Sequence, residues 1–229
     1  IYSSALMAVI VGILVLQPDI GMTLMVVLTW GFQMFLAGMP MLLVICIVAL
    51  APLGLVVAYF TLGHVHKRIN QFWEGGAWQV EKARDSFANG GLFGVGPGDG
   101  TVKHHLPDAH SDFIFAVAGE EFGALACLTL LTLYAFIVLR GFSRAMSDEG
   151  LFCLIASASL LLQFGVQAAI HMASSVHLIP TKGMTLPLIS YGGSSLVASG
   201  LTMGLILALT RRRAPYVLPG RRNLQEATT

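Results

Sequence analysis

Four long runs of this chain contain no Asp, Glu, Lys or Arg: Ile20–His66, Phe122–Leu139, Gly150–Thr181 and Gly183–Thr210. A helix crosses the hydrocarbon core of a bilayer with about 20 apolar residues, and these runs are of that order or longer. In lipid every backbone polar group must be satisfied within the protein, which leaves helices or a closed barrel. No run alternates polar and apolar residues as a barrel strand would, so helices are expected. Composition agrees: 55% of residues are hydrophobic and 11% charged, against roughly 25% charged in a soluble domain. A net charge of +1 offers no basic face for a nucleic acid.

The fold class expected is an all-α polytopic membrane protein with one long extracytoplasmic loop. The patterning predicts helical segments over Ser4–Leu16, Gly21–Ala37, Met41–Phe60, Asp112–Leu139, Leu151–Ser174 and Ser194–Thr210. The first charge-free run holds two of them, broken near Gly38 and Pro40. The membrane domain is taken as 1–213, with the loop at 61–111, and 214–229 as a cytoplasmic tail. The chain does not begin with Met, and Ile1–Leu16 is short for a span. It lacks the basic start and cleavage site of a signal peptide. It reads as the end of a helix, and the chain as a C-terminal piece of a larger membrane protein. Cys46, Cys127 and Cys153 all lie in apolar segments and read as packing residues, with no disulfide framework implied.

Lys and Arg near helix ends set orientation. Arg211–Arg213 follow the last segment, and Arg140 and Arg144 follow the fourth. Two helices separate these clusters, which puts both on one face, the cytoplasm. Asp19, the loop, Asp112 and Lys182 then face outward together. Chemistry on that side has no ATP to draw on, so its energy must come from the substrate.

Ionisable groups near membrane depth raise the question of what they do. In Leu106–Phe115 (LPDAHSDFIF), Asp112 stands where a polar loop becomes an apolar helix. It is either a helix N-cap or a carboxylate whose pKa is raised near lipid so that it serves as a general base. Glu120 and Glu121 follow on that helix. At about 100° per residue, Glu120 is the better placed of the two to line a cavity near Asp112. The alternative for both is a structural hydrogen bond to a neighbouring helix. Asp19, after Pro18, reads as a cap for the second segment, with a site role left open.

Three further stretches carry motif-like patterns. Gly94–Gly100 (GVGPGDG) lacks the context and ending of a phosphate loop, so no nucleotide is expected; it reads as a flexible loop shaping a cleft. His64, His66, His104, His105 and His110 lack the spacing of a metal site, and His171 reads as a helix–helix hydrogen bond. Leu178–Ser195 (LIPTKGMTLPLISYGGSS) holds Pro180 and Pro187, which forbid a continuous helix. Gly192-Gly193 permits sharp turns, and Ser194 is a candidate cap for the final helix. Such backbone is tolerated at membrane depth only against protein or a wet cavity. The segment is therefore a structured loop or a groove wall, with Ser190, Tyr191, Gly192 and Gly193 in the wall and Lys182 drawing a phosphate.

The motifs QPDIG at 17–21, GGLFGVGPG at 90–98, LPDAHSDFIFAVAGEEFG at 106–123 and PTKGMTLPLISYGGSS at 180–195 resemble, in order, those of the SEDS family of bacterial membrane glycosyltransferases. TKGMTLP and Ala109 before His110 look like the division branch of that family rather than its elongation branch. Ser111 stands where Thr is usual, and His171 where many members have Asn. The resemblance implies a bundle of roughly ten spans, each of about 20 residues. It implies polymerisation of peptidoglycan from lipid II at the outer face of the bacterial inner membrane, at the division septum. Asp112 matches the family's essential acid, and Asp19 the acid of its QPD motif. Arg68, Lys103 and Lys182, or a divalent cation such as magnesium or manganese, would stabilise the leaving pyrophosphate. The partners implied are a class B penicillin-binding protein and other divisome membrane proteins. Two other functions stay open: a lipid II flippase or transporter, and a noncatalytic scaffold for the penicillin-binding protein.

Overall fold

A computed structural model describes residues 2–17, 19–43, 46, 56–57, 59–61, 63–73, 78–147, 150–180 and 183–211. Among them the chain is helical and holds no strand: α1 (Tyr2–Leu16), α2 (Ile20–Leu36), α3 (Gly63–Trp73), α4 (Trp78–Gly90), a 3-10 turn (Val102–His105), α5 (Ile114–Ala145), α6 (Leu151–Ser175) and α7 (Gly193–Leu209). The expected segment Met41–Phe60 and the tail 214–229 lie largely or wholly outside the described residues. Helices α5 and α6, with 32 and 25 residues, are long and apolar enough to cross a membrane. The apolar helices α1, α2 and α7 have 15, 17 and 17 residues, short of the expected length.

Helix α6 is the hub, packing against α5, α2 and α7, while α1 packs on α2. Phe115, Cys127 and Tyr134 of α5 meet Phe164, Ala168 and Met172 of α6, with Leu186 of the following segment closing the cluster. Outward faces stay apolar, with Leu131, Leu133, Phe136 and Leu139 of α5 all exposed. That pattern suits a helix whose solvent is lipid. Cys127 is buried as a packing residue, whereas Cys46 is exposed.

The expected long loop is built differently. Its α4 buries Ala83 and Ser86, with Phe87 beside them packed against two core clusters. These positions, with Gly90 close against α5, follow the i, i+3, i+4, i+7 pattern of an amphipathic helix. The glycine stretch is not a free cleft loop either. Gly123 has φ 78° and ψ 179°, which breaks the ladder of α5. Residues 91–96 thread into this break. Val95 and Gly96 donate N–H bonds to the Glu120 and Glu121 carbonyls at 3.0 and 3.1 Å, and Ala124 and Leu125 donate to Gly91 and Leu92 at 2.9 and 3.3 Å. A Cβ on Gly94 would lie 2.1 Å from the Glu121 carbonyl, and one on Gly123 2.3 Å from that of Leu92. These glycines admit one backbone against another, a reason for the residue type that has nothing to do with a ligand.

Candidate active site

The segment preceding α5 is pinned before it reaches Asp112. Leu106 and Phe113 are buried with Ala83 and Ala116. Between these anchors Asp108 takes a positive φ of 52°, and its carbonyl accepts N–H bonds from Ser111 and Asp112 at 3.0 and 2.9 Å. The helix starts at Ile114 with Phe113 in the capping position and no side-chain cap. Asp112 is therefore not the N-cap, and the segment begins two residues later than the patterning predicts. Its half-buried carboxyl is left for other work.

Burial pushes the Asp112 carboxyl above its ordinary pKa, and the Asp108 charge pushes the same way. A hydrogen bond from the Ser111 hydroxyl and the nearby His110 pull it down. Across from it stands Gly183, at φ 58°, where a Cβ would come within 3.0 Å of Asp112 Oδ2.

The segment 183–192 is irregular, as its prolines require, and neighbouring side chains satisfy its backbone. Gln167 Nε2 donates to the Thr185 carbonyl at 3.0 Å, and His171 Nδ1 to that of Met184 at 2.6 Å. Tyr134 donates to the Pro187 carbonyl. His171 thus holds the loop and makes no helix–helix bond. Ser190 is buried; its hydroxyl donates to the Ser111 carbonyl at 2.6 Å and accepts from the Leu186 N–H at 2.7 Å. The Tyr191 N–H donates to the His110 carbonyl at 2.9 Å, and the two rings lie edge to face at 5.4 Å. Ser190 and Tyr191 therefore fasten this segment to the one carrying Asp112.

Gly192 and Gly193 do not turn sharply. Gly192 is extended at φ −178° and Gly193 is the first residue of α7, so Ser194 is not the cap. A Cβ on Gly193 would meet nothing within 4 Å. The left-handed positions fall instead at Gly183 and Leu188.

Beside Gly183 opens a cavity of about 380 Å³, with Asp19, Gln163, Gln167, Thr185, Ser195 and Thr202 among its polar walls. Asp112 is not one of its walls; its link to the cavity is Gly183, which lines it and lies next to Asp112 Oδ2. Asp19 both caps α2, accepting from the Met22 N–H at 3.0 Å, and lines the cavity. A second cleft of about 240 Å³ runs between α1, α2 and α6, mostly apolar, and shares Met22, Gln163, Gln167 and Met184 with the first. A chamber of mixed polarity thus shares walls with a more apolar cleft. Gln163, Gln167 and Thr185 were not singled out from sequence. The signal was present, since Gln163, Gln167 and His171 recur every four residues along one face of an apolar helix.

Other predicted residues serve elsewhere. Glu120 is fully buried and does not line the cavity. Its carboxylate accepts from Asn89 Nδ2 and from the N–H groups of Thr101, Val102 and Lys103, at 2.8–3.0 Å. Lys103 pairs with Glu121 and donates to the Gly98 carbonyl at 3.0 Å, so its ammonium is engaged within the loop. Arg68 lies on α3, but its side chain, like the whole of Lys182, is outside the described residues. Among the described residues no three of His, Cys, Asp and Glu converge as a divalent cation would require.

Comparison with known proteins sharpens the picture. The family model FTSW_RODA_SPOVE, described as cell cycle protein, matches residues 1–214. Over 206 residues the chain is 43% identical to the probable peptidoglycan glycosyltransferase FtsW of Caulobacter vibrioides, covering 89% of this chain and 53% of that protein. The corresponding protein of Escherichia coli is 31% identical, with 88% and 51% covered. The peptidoglycan glycosyltransferase RodA of Mycobacterium leprae is 32% identical, with 87% and 44% covered. The chain spans about half the length of the curated relatives it matches. Among solved structures, one reported for polymerization and crosslinking by a peptidoglycan synthase complex aligns with TM-score 0.72 and 27% identity, covering 93% of this chain and 62% of the other. An aspartate-to-alanine mutant of the rod shape determining protein RodA of Thermus thermophilus aligns with TM-score 0.58 and 27% identity, with 93% and 59% covered.

Proposed function

The chain belongs to the FtsW–RodA–SpoVE family of cell cycle proteins, that is, the SEDS family, as a multi-pass helical membrane protein, and on that premise we propose that it carries the catalytic acid of a septal peptidoglycan glycosyltransferase acting on lipid II. The observation that carries this reading is Asp112. It is a half-buried carboxyl with a raised pKa that no helix N–H claims, next to Gly183 of a chamber of mixed polarity, which shares walls with a more apolar cleft. A substrate with a sugar–phosphate head and a polyprenyl tail needs both environments side by side.

In this mechanism Asp112 takes the proton from the 4-hydroxyl of the acceptor sugar as that oxygen attacks the anomeric carbon of the donor chain. The anomeric carbon–oxygen bond to the pyrophosphate breaks, and undecaprenyl pyrophosphate leaves with the bonding pair. Lys182 and Arg68 are the cations proposed to meet its charge. Lys103, paired with Glu121, is set aside for the loop. Ser190, Tyr191 and Gly183 position the acid, and Asp19 shapes the chamber. The site faces the periplasm, with the arginine-bearing helix ends in the cytoplasm. The partner is a class B penicillin-binding protein, within the divisome.

The test is lipid II polymerisation by the full-length protein with its partner synthase. Asp112→Asn should reach the membrane at normal level and make no glycan strands. Strand synthesis at the wild-type rate would refute the base assignment and favour a scaffold. Lipid II transport that survives in the variant while polymerisation stays absent in wild type would favour a flippase.

A further inference from the structure

The end of the bundle remote from Asp112 carries a second constellation that this chemistry does not use. Beyond its break at Gly123, α5 rises about 30 Å to Arg144, and its last turns meet α6 and the end of α7 over buried Ala145, Leu161 and Ile206. Above that plug lies a cavity of about 690 Å³, bounded by Arg140, Arg144 and Arg211 and by the hydroxyls of Ser143, Ser147 and Thr210. The sequence brought the arginines in as topology signals, far apart in the chain. The fold converges them on one space.

Among the described residues no carboxylate pairs with any of the three. The hydroxyls donate to carbonyls of their own helices: Ser143 to Leu139, Ser147 to Arg144 and Thr210 to Ile206, at 3.1, 2.8 and 2.7 Å. Among the described residues the guanidinium groups are therefore the donors left without a carboxylate. Two helix C-termini end here, each equivalent to roughly half a negative charge, which offsets about one of the three positive charges. Asp148 and Glu149 follow in sequence, outside the described residues, and Arg212 and Arg213 extend the basic run past Arg211. Among the described residues three arginines and no acid line the cavity, which leaves it cationic.

We propose that this cavity binds a phosphate-bearing anion, and specifically the headgroup of an anionic phospholipid. Guanidinium forks match phosphate oxygens two at a time. A headgroup is favoured over free phosphate by what surrounds the basic rim. Leu207 lines the cavity itself, and Leu133, Phe136 and Leu139 stand exposed on α5 in the turns just before Arg140. Acyl chains would lie along that apolar surface while the phosphate sits among the arginines, the arrangement expected of basic pockets between helices at a membrane face.

The test uses the full-length protein in detergent, with short-chain phosphatidylglycerol, phosphatidylcholine or sodium phosphate added at matched ionic strength. Thermal unfolding and native mass spectrometry are the readouts. Phosphatidylglycerol should raise the unfolding midpoint and be retained as an adduct, with affinity falling about fivefold for each of Arg140, Arg144 and Arg211 changed to Gln. Affinity should also fall as salt is raised. Lysine at the same positions keeps the charge and loses the fork, so binding should fall less than with Gln, which separates charge from folding. Equal responses to phosphatidylglycerol and phosphatidylcholine would overturn the proposal. So would unchanged binding in the triple Gln variant, or binding indifferent to salt. If sodium phosphate alone reproduces the full effect, the lipid assignment is overturned and the site belongs to a soluble anion.

Discussion

Glu120 and Asp112 are acids eight residues apart at the beginning of one long helix, and the protein surrounds them in opposite ways. Glu120 is sealed from solvent and accepts four hydrogen bonds, three of them from consecutive backbone N–H groups at the start of the 3-10 turn. Around it the glycine strap replaces the hydrogen bonds that α5 gives up at Gly123. Asp112 is half exposed, lies outside the helix, and faces a glycine. The first arrangement spends a carboxylate on holding 101–105 against α5, and that segment leads into the one bearing Asp112. The second keeps a carboxylate available. A saturated acid is a structural part, and an acid whose neighbours are fixed while it stays underused is a candidate for chemistry.

The largest expected effect separates the two on activity. Asp112→Asn should lower lipid II polymerisation by about 10²–10⁴-fold, the range for removing a general base. It should not lower the unfolding midpoint at neutral pH. A carboxyl whose folded pKa is raised contributes stability below its unfolded pKa, and that contribution is lost as pH rises through the folded value. The neutral amide escapes that loss. Glu120→Ala should do the reverse. It strands three buried backbone donors and the Asn89 amide, a cost of roughly 3–5 kcal/mol, read as lost expression or an early unfolding transition. A Glu120 variant that folds normally yet is inactive would erase the distinction drawn between the two acids.

Next in size is Gly123→Ala. Its φ of 78° suits glycine, and the added Cβ would lie 2.3 Å from the Leu92 carbonyl, so the strap must move. A loss of about 1–3 kcal/mol in stability is expected, and activity should fall only as far as the folded fraction does.

Much of this was legible in the residues. The charge-free runs gave the helices, Pro180 and Pro187 gave the irregular segment, and the converging basic ends agree with Arg140, Arg144 and Arg211 sharing one cavity. What was missed has physical causes. The helix α4 was hidden because its mean composition is polar, although Ala83, Ser86 and Phe87 keep helical spacing. The strap was read as a cleft loop because glycines that permit tight turns and glycines that permit backbone contact look alike until the partner backbone is known. Asp112 was undecided between cap and base because capping depends on where the helix starts. The helix begins two residues later, which removes the cap reading alone. Gly183 could not have been found, since its significance is its closeness to an acid 71 positions earlier in the chain.

Ser190→Ala tests the clamp between the two segments. The hydroxyl accepts from the Leu186 N–H and donates to the carbonyl of Ser111, immediately before the acid. Removing it should cost about 1–3 kcal/mol of local stability. Polymerisation should fall by about tenfold, through kcat more than KM, because the acid is displaced while the chamber is unchanged.

The smallest effect, and the most specific, is on pH dependence. Asp112 must be ionised to accept a proton, and its pKa lies above the ordinary carboxylate value through burial and then through Asp108. Activity should therefore decline as pH falls through a window in which an ordinary carboxylate would still be charged. Its neighbours act with opposite sign, so two variants should move that acid limb apart. Asp108→Asn removes a like charge and should carry the limb to lower pH. His110→Ala removes a group that favours the ionised form and should carry it to higher pH. The measurement is kcat/KM against pH for both variants beside wild type, which reports the free enzyme. Glu120→Gln, if it folds, should leave the limb in place, because its hydrogen bonds are made to the strap and the 3-10 turn. Limbs that move together in the two neighbouring variants would mean that the titrating group is not Asp112.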